Sequence, residues 1–385
     1  MDWKKVEKKF SSARSGILTN QSGFGGRFGY KYHFEYFREE WELTHIFLPE
    51  HGLFAELQDQ VSGSSLRYDY GDLKIINLYG DEESSLFPNE TIWEDLDLLI
   101  IDIRDVGARY YTFLTTAYYL LVSIDKHNRG NKKVEVLVLD SPNPAGKKVE
   151  GSPLLPEYES FVGVPTVVHR HGLTAGQLLT YYKHEFQLNV NLTICPIGEV
   201  FLETKKEEFW IPPSPNIPTR ETCLVYTGQC LLEGTNLSEG RGTTRPFEIF
   251  GAPYLEIQNK LFLVQLNRYQ DETYVLRPLY FQPTFHKHSG KICGGFHLIP
   301  LSKKFHSLLF TLHFLRTVRD FYPKEFEYLQ GPYEFRSDKK AIELLAGDPK
   351  LIAYLSGKGT YKEIKEYLKE KEEEWEDKVE DLKAN

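Results

Sequence analysis

Short apolar runs recur through the first half of the chain, and each is closed by polar residues. SGILTN (15–20), LTHIFLPEHG (43–52), LKIINLYG (73–80), LDLLIIDIRD (96–105), VEVLVLDSPNP (134–144) and LTICPI (192–197) read as strands. Amphipathic stretches lie between them, near 30–41 and over YYTFLTTAYYLLVSIDKH (110–127), which has the length and period of a helix. Thr174 and Gln177 form a T-x-x-Q capping box that predicts another helix start. Strands that are apolar almost throughout, alternating with helices, predict a parallel sheet covered on both faces.

After about residue 249 the texture changes. RPLYFQPTF (277–285) and CGGFHLIPL (293–301) read as strands, and Phe305, Leu308, Leu312, Leu315 and Val318 share one helix face. The expected layout is therefore an α/β domain over 1–249 and a smaller α+β domain over 250–385. KEYLKEKEEEWEDKVEDLK (365–383) alternates its charges at helical spacing and predicts a solvated surface helix.

In open α/β sheets, ligands bind beyond the carboxyl ends of the strands. Those ends carry Asn20, Glu50, His51, Asp102, Arg104, Asp105, Asp140 and Asn143, and all face one edge of the sheet. A dinucleotide loop fails on spacing, because GFGGRFG (23–29) has Phe28 where G-x-G-x-x-G needs glycine. Neither a phosphate-binding GxxxxGK[ST] nor a G-x-S-x-G elbow occurs. His169 and His171, and again His286 and His288, sit at alternate positions, as zinc ligands on a strand do. No third ligand has a telling spacing, so these read as hydrogen-bonding histidines, and neither metal nor cofactor is expected.

Composition narrows the partners. A net charge of −9 without a basic stripe argues against nucleic acid. Four cysteines without a CxxC pair argue against a zinc ribbon or a disulfide scaffold. MDWKKVEKKFSS has no apolar signal core, and no apolar run reaches membrane-spanning length. A soluble, cytoplasmic protein is expected, or a secreted one if a signal has been trimmed from this sequence.

Paired carboxylates remain as candidate chemistry. Glycoside hydrolysis needs a protonated acid at the leaving oxygen and usually a second carboxylate. Glu50 ends an apolar strand after Pro49, where partial burial favours the protonated form. LLEGTNLSEGRGTTRPFE (231–248) concentrates Glu233, Glu239, Asn236 and Arg241 on glycine-rich backbone that can approach a ligand closely. Arg241 suits a substrate carboxylate or an internal pair with Glu239, and Arg104 and Arg109 pose the same choice beside Asp102 and Asp105.

PEHG (49–52), DIRDVGARYYT (102–112), DSPNP (140–144), EGSPL (150–154), RHGLTAGQ (170–177), PPSPNIPT (212–219), EGTNLSEGRGTTRPFE (233–248), GAPY (251–254) and PTFHKHSGKICGG (283–295) follow one another in order. Together they resemble the NamZ-type exo-β-N-acetylmuramidases over nearly the whole chain. The resemblance implies a Rossmann-like N-terminal domain, a smaller C-terminal domain and a cleft between them. It implies release of terminal β-linked N-acetylmuramic acid from peptidoglycan fragments in wall recycling, without cofactor or metal. It makes Glu50 the general acid, with Glu239 or Glu233 as second carboxylate. His51, Arg109, Tyr110, Asn236 and Arg241 are then candidate substrate-binding residues, and Arg104, Asp140, Asn143 and His171 join them from the polar strand ends and the first His-x-His pair. Two departures fall near this site: Leu53-Phe54-Ala55-Glu56 replaces the usual phenylalanine-arginine-glycine, and Arg104 stands where glutamine is common. The alternatives are a non-catalytic binder of acidic sugars and a metal-dependent hydrolase built on the two His-x-His pairs.

Overall fold

The computed structural model describes residues 1–58, 60–130, 133–197 and 210–384. Six strands, β1 (Ser15–Thr19), β2 (Leu43–Leu48), β3 (Lys74–Asn77), β4 (Leu98–Asp102), β5 (Glu135–Asp140) and β6 (Asn191–Pro196), form one parallel sheet. Their order is β3-β2-β1-β4-β5-β6, so the winding reverses between β1 and β4, as in Rossmann folds.

Side chains alternate across a strand, and here both sets are apolar. Ile17, Ile46, Ile100 and Leu137 enter one core with Phe34, Phe37 and Trp41, while Leu18, Phe47, Ile101 and Val138 enter the other. Helices α1 (Trp3–Phe10) and α2 (His33–Glu40) cover the first face; α3 (Thr112–Gly130) and α4 (Ala175–Glu185) cover the second. The capping box is present: the Gln177 N–H reaches Thr174 Oγ1 at 3.2 Å, and the Thr174 N–H reaches Gln177 Oε1 at 3.0 Å.

The C-terminal part contains α5 (Arg220–Gln229), β7 (Ile249–Ala252), α6 (Lys260–Leu266), β8 (Tyr274–Phe281), β9 (Cys293–Pro300), α7 (Ser307–Phe321), α8 (Ala341–Ala346), α9 (Pro349–Leu355) and α10 (Tyr361–Lys378). Its sheet is antiparallel in the order β8-β9-β7. Helix α7 lays Phe310 and Phe314 on Phe250, with centroids 6.2 and 4.9 Å apart. Helix α5 packs on α7 at Gly228, where a Cβ would lie 2.1 Å from the Ser307 carbonyl oxygen. By its packing α5 goes with the C-terminal layer.

The acidic tail is more than a solvated helix. Ile364, Leu368 and Trp375 of α10 are buried, and Trp375 Nε1 donates to the His171 carbonyl at 2.9 Å. Glu372 accepts from the Gly151 N–H at 2.7 Å and pairs with His306 at 2.8 Å. The helix is thus a clasp returning to the N-terminal domain. Among the described residues, no helix is long and apolar enough to cross a membrane.

Candidate active site

A small cleft opens where the carboxyl edge of the parallel sheet meets the C-terminal part. Its N-terminal wall begins with Glu50, which follows β2 and is 4% exposed. Glu50 Oε2 lies 2.9 Å from Thr112 Oγ1 at the start of α3, and Oε1 accepts from the Gln60 N–H at 3.1 Å. The turn that follows is strained: His51, Gly52 and Ala55 have φ of 76°, 85° and 52°. A Cβ on Gly52 would lie 2.8 Å from Glu56 and from Tyr68, so only glycine fits. Glu56, one of the residues departing from the family pattern, holds this turn by accepting from the Phe54 N–H at 2.9 Å and from the Tyr68 hydroxyl. His51 lines the cleft and is oriented through Nδ1 by the Leu57 carbonyl at 3.0 Å.

Two further segments complete that wall. Asn20, beyond β1, donates to the Pro213 carbonyl at 3.0 Å, and Gln21 donates to Pro212 at 2.7 Å. They pin the PPSPN segment so that Ser214 and Asn216 face the cleft. Tyr110 contributes a phenol that is 2% exposed and has no hydrogen-bond partner among the described residues. Burial pushes its pKa far up, so it is a donor throughout the working range.

The C-terminal part supplies the opposite wall. Glu233 accepts from Arg241 at 2.8 Å and from the Tyr333 hydroxyl at 2.5 Å. Arg241 lies over the Phe247 ring at 5.1 Å, and both line the cleft. Glu239 does not. It is fully buried behind Arg241, meeting Arg241 Nε at 3.2 Å, His286 Nδ1 at 2.9 Å and Lys287 Nζ at 3.0 Å. Burial alone would raise its pKa, but Lys287, His286 and Arg241 together hold it well below the usual carboxylate range. It is a fixed anion that braces Arg241.

Other residues expected at the site hold the protein together. Arg109 donates to the carbonyls of Ser152, Val167, Leu345 and Ala346 at 2.8, 3.2, 3.0 and 2.9 Å, and to His169 Nε2 at 3.0 Å. A guanidinium only donates, so His169 Nε2 must accept and its Nδ1–H is left for the Ser152 carbonyl at 3.1 Å. His171 bonds Asp105 at 2.9 Å, and Asp102 pairs with His33 at 3.0 Å. Asp140 accepts from Gly176 N–H and Thr174 at the start of α4, at 2.9 and 2.8 Å. Asn143 closes a turn onto Ala145 and Leu173, and Asn236 ties down residues 325–327. Arg104 lies in a separate pocket with Asp105, Trp210 and Arg220.

The second His-x-His pair also has a structural use. His286 and His288 are left-handed, at φ 65° and 58°, so they do not share a strand face. His286 meets Glu239, and His288 bonds the Asn236 carbonyl at 2.6 Å. Lys287 between them reaches the carbonyls of Leu232 and Glu233 at 2.9 and 3.2 Å. Sequence reasoning missed Thr112, Ser214, Asn216, Tyr333 and Glu334 as cleft residues.

The comparisons with known proteins agree with this architecture. The model for the N-terminal part of the exo-β-N-acetylmuramidase NamZ matches residues 15–221, and that for its C-terminal part matches 224–383. The chain belongs to the NamZ family. A curated member, the peptidoglycan β-N-acetylmuramidase NamZ of Bacillus subtilis strain 168, is 34% identical over 330 residues, covering 84% of this chain and 77% of that protein. Two solved DUF1343 family proteins from Bacteroides fragilis NCTC 9343 share the fold. One has a TM-score of 0.79 at 23% identity, the other 0.69 at 26%, and each alignment covers 98% of this chain and 96% of the other. The NamZ models meet between residues 221 and 224, beside the start of α5, where the packing changes layer.

Proposed function

We propose that this NamZ-family chain is an exo-acting glycosidase releasing terminal β-linked N-acetylmuramic acid from peptidoglycan fragments, with Glu50 as general acid and Glu233 as second carboxylate. The observation that carries the assignment is the pair of carboxylates on opposite walls of one cleft, in unlike surroundings. Glu233 has the Arg241 cation at 2.8 Å, which favours its charged form. Among the described residues Glu50 has no cationic partner. It can keep both of its contacts while protonated, with Oε1 accepting from Gln60 N–H and Oε2–H donating to the Thr112 hydroxyl or to a leaving oxygen. Unlike environments for two carboxyl groups are what acid and base roles need.

Glu50 then protonates the glycosidic oxygen as the bond breaks. Glu233 stabilises the positive charge developing at the anomeric carbon, by attack, by activating water or by positioning the 2-acetamido group. Tyr110 and the Arg241 guanidinium are among the cleft donors that suit the acetamido and lactyl groups. The cytoplasmic location belongs to the same reading, because all four cysteines are buried as thiols and none is in a disulfide, as in a reducing compartment.

The test is release of nitrophenol from 4-nitrophenyl β-N-acetylmuramic acid beside its N-acetylglucosamine analogue. Turnover of the muramic substrate alone, lost in Glu50→Gln, is the expected result. Undiminished turnover in Glu50→Gln would move the acid to another group. No turnover of either sugar by the wild type would favour an acidic-sugar-binding protein.

A further inference from the structure

Residues 333–336 form a two-residue hairpin in the C-terminal part. The Tyr333 N–H reaches the Arg336 carbonyl at 2.8 Å, and the Arg336 N–H reaches that of Tyr333 at 2.9 Å. Its tip residues, Glu334 and Phe335, both have positive φ, 45° and 65°. A turn of that shape is cheapest with Asn-Gly, and non-glycine residues held there carry strain, which persists where the surroundings over-determine it. The surroundings do so here. Tyr333 reaches Glu233, Glu334 accepts from the Tyr79 hydroxyl at 3.0 Å, and Phe335 packs on Tyr79 and Phe161 with centroids 5.5 and 6.2 Å apart. Arg336 donates to the Glu159 carbonyl. The hairpin thus leaves one domain and fastens to the other beside the cleft, delivering Glu334, 6% exposed, into its lining.

We infer that this hairpin is the end wall that restricts cleavage to chain ends, and that Glu334 accepts a hydrogen bond from the C4 hydroxyl of the terminal sugar. The inference rests on the glycosidase reading above. A muramic acid residue inside a β-1,4-linked glycan has an ether oxygen at C4, whereas a terminal residue has a hydroxyl there. A carboxylate has about four acceptor positions, so Glu334 can take that hydroxyl while keeping the Tyr79 bond. An ether oxygen has no proton to offer, so an internal residue would set acceptor against acceptor in a buried site. Sites built to bond a hydroxyl reject analogues lacking it by large factors. The strained turn is the means of holding a carboxylate there across a domain boundary.

The experiment pairs two probes with three proteins. The probes are 4-nitrophenyl β-N-acetylmuramic acid and its 4-deoxy analogue; the proteins are wild type, Glu334→Gln and Glu334→Ala. Wild type should prefer the hydroxylated probe by roughly 100-fold or more in kcat/KM. Glu334→Ala should reduce the preference to about 10-fold or less, chiefly through KM, and Glu334→Gln should fall between them because its amide oxygen still accepts. A preference that survives intact in an active Glu334→Ala protein overturns the inference while leaving the glycosidase reading in place. An inactive wild type overturns that reading first, and the inference with it. Should Glu334→Ala fail to fold, Glu334→Gln with a preference equal to wild type and an unchanged KM for the hydroxylated probe overturns the inference alone.

Discussion

Replacing Arg109 separates a structural role from a substrate-binding one. The side chain is 3% exposed and donates to four carbonyls and to His169. Leu345 and Ala346 end helix α8, so Arg109 satisfies carbonyls that the helix itself leaves unpaired. Arg109→Met removes those donors, and each buried acceptor left unpaired costs about 1–3 kcal/mol. Part is recovered, because burial has pulled the Arg109 pKa from 12.5 to about 10, so the buried charge itself costs on the order of 3 kcal/mol. Water reaching some of the carbonyls keeps the balance near the low end, a net loss of roughly 2–5 kcal/mol. Urea denaturation should show this loss with an unchanged m-value, while KM for 4-nitrophenyl β-N-acetylmuramic acid, measured well below the melting temperature, stays within about twofold of wild type. A KM raised about tenfold at unchanged stability would show that Arg109 reaches the substrate, and the structural assignment would be wrong.

Three other outcomes are expected. Gly347, the left-handed residue after α8, has φ of 59°, and a Cβ there would lie 2.3 Å from Leu154 and 2.6 Å from Arg109; Gly347→Ala should therefore destabilise by ~1–3 kcal/mol in the same urea assay. His306 sits between Glu150 and Glu372: burial alone would lower its pKa, but the two carboxylates raise it to about 9. Its folded value lies above the unfolded one near 6.5, so its contribution is complete below pH ~6.5 and fades as pH rises through about 9. The free energy of unfolding from urea denaturation should fall between pH 6.5 and 9.5 by on the order of 3 kcal/mol, and His306→Gln should flatten that slope. On the acid side, burial of Glu150 is outweighed by His306, Lys148 and Arg170, which hold it far below the carboxylate range, so its share persists well below pH 4. Lys287→Met removes a cation facing the buried Glu239 and should cost ~3–5 kcal/mol with lowered kcat/KM, whereas unchanged activity would mean that Arg241 needs no brace.

The fold was legible because a parallel sheet buried on both faces must be apolar on both faces. Ile17-Leu18, Ile46-Phe47 and Ile100-Ile101 stand as adjacent pairs that feed two cores, and no alternating strand could tolerate them. The tail was half legible. Its alternating charges describe the outer face of α10, but Ile364, Leu368 and Trp375 fall on one stripe of the same helix, and they are what docks it. At the strand ends, polarity marked the edge of the sheet where the cleft opens, without telling which residues turn toward it. Glu50 does, while Asp102, Asp105 and Asp140 are spent on His33, His171 and the start of α4. The 333–336 hairpin left no mark, because a two-residue turn built on Glu-Phe lacks the Asn-Gly that would announce it.

The polar loop at 231–248 shows why dense charge in a sequence points to a buried network before it points to a ligand. Buried ions must be paired, and glycines that let backbone approach a substrate let it approach other backbone equally well. A Cβ on Gly240 would lie 2.1 Å from the Ile249 carbonyl oxygen, and one on Gly242 would lie 2.7 Å from the Phe285 nitrogen, so both glycines serve contacts inside the fold. Glu239 is wholly enclosed by Arg241, His286 and Lys287, and Glu248 by Arg245 with Thr219 and Thr222. Of the loop's ionisable groups only Glu233 and Arg241 line the cleft, and each is held from behind. Arg241 therefore faces the cleft with its direction already fixed by Glu239 and the Phe247 ring. Glu233 faces it already fixed by Arg241 and Tyr333. In the proposed glycosidase, that pre-set geometry would let a group act on charge developing at the sugar without reorganising first, with the internal ion pairs serving to hold two groups still.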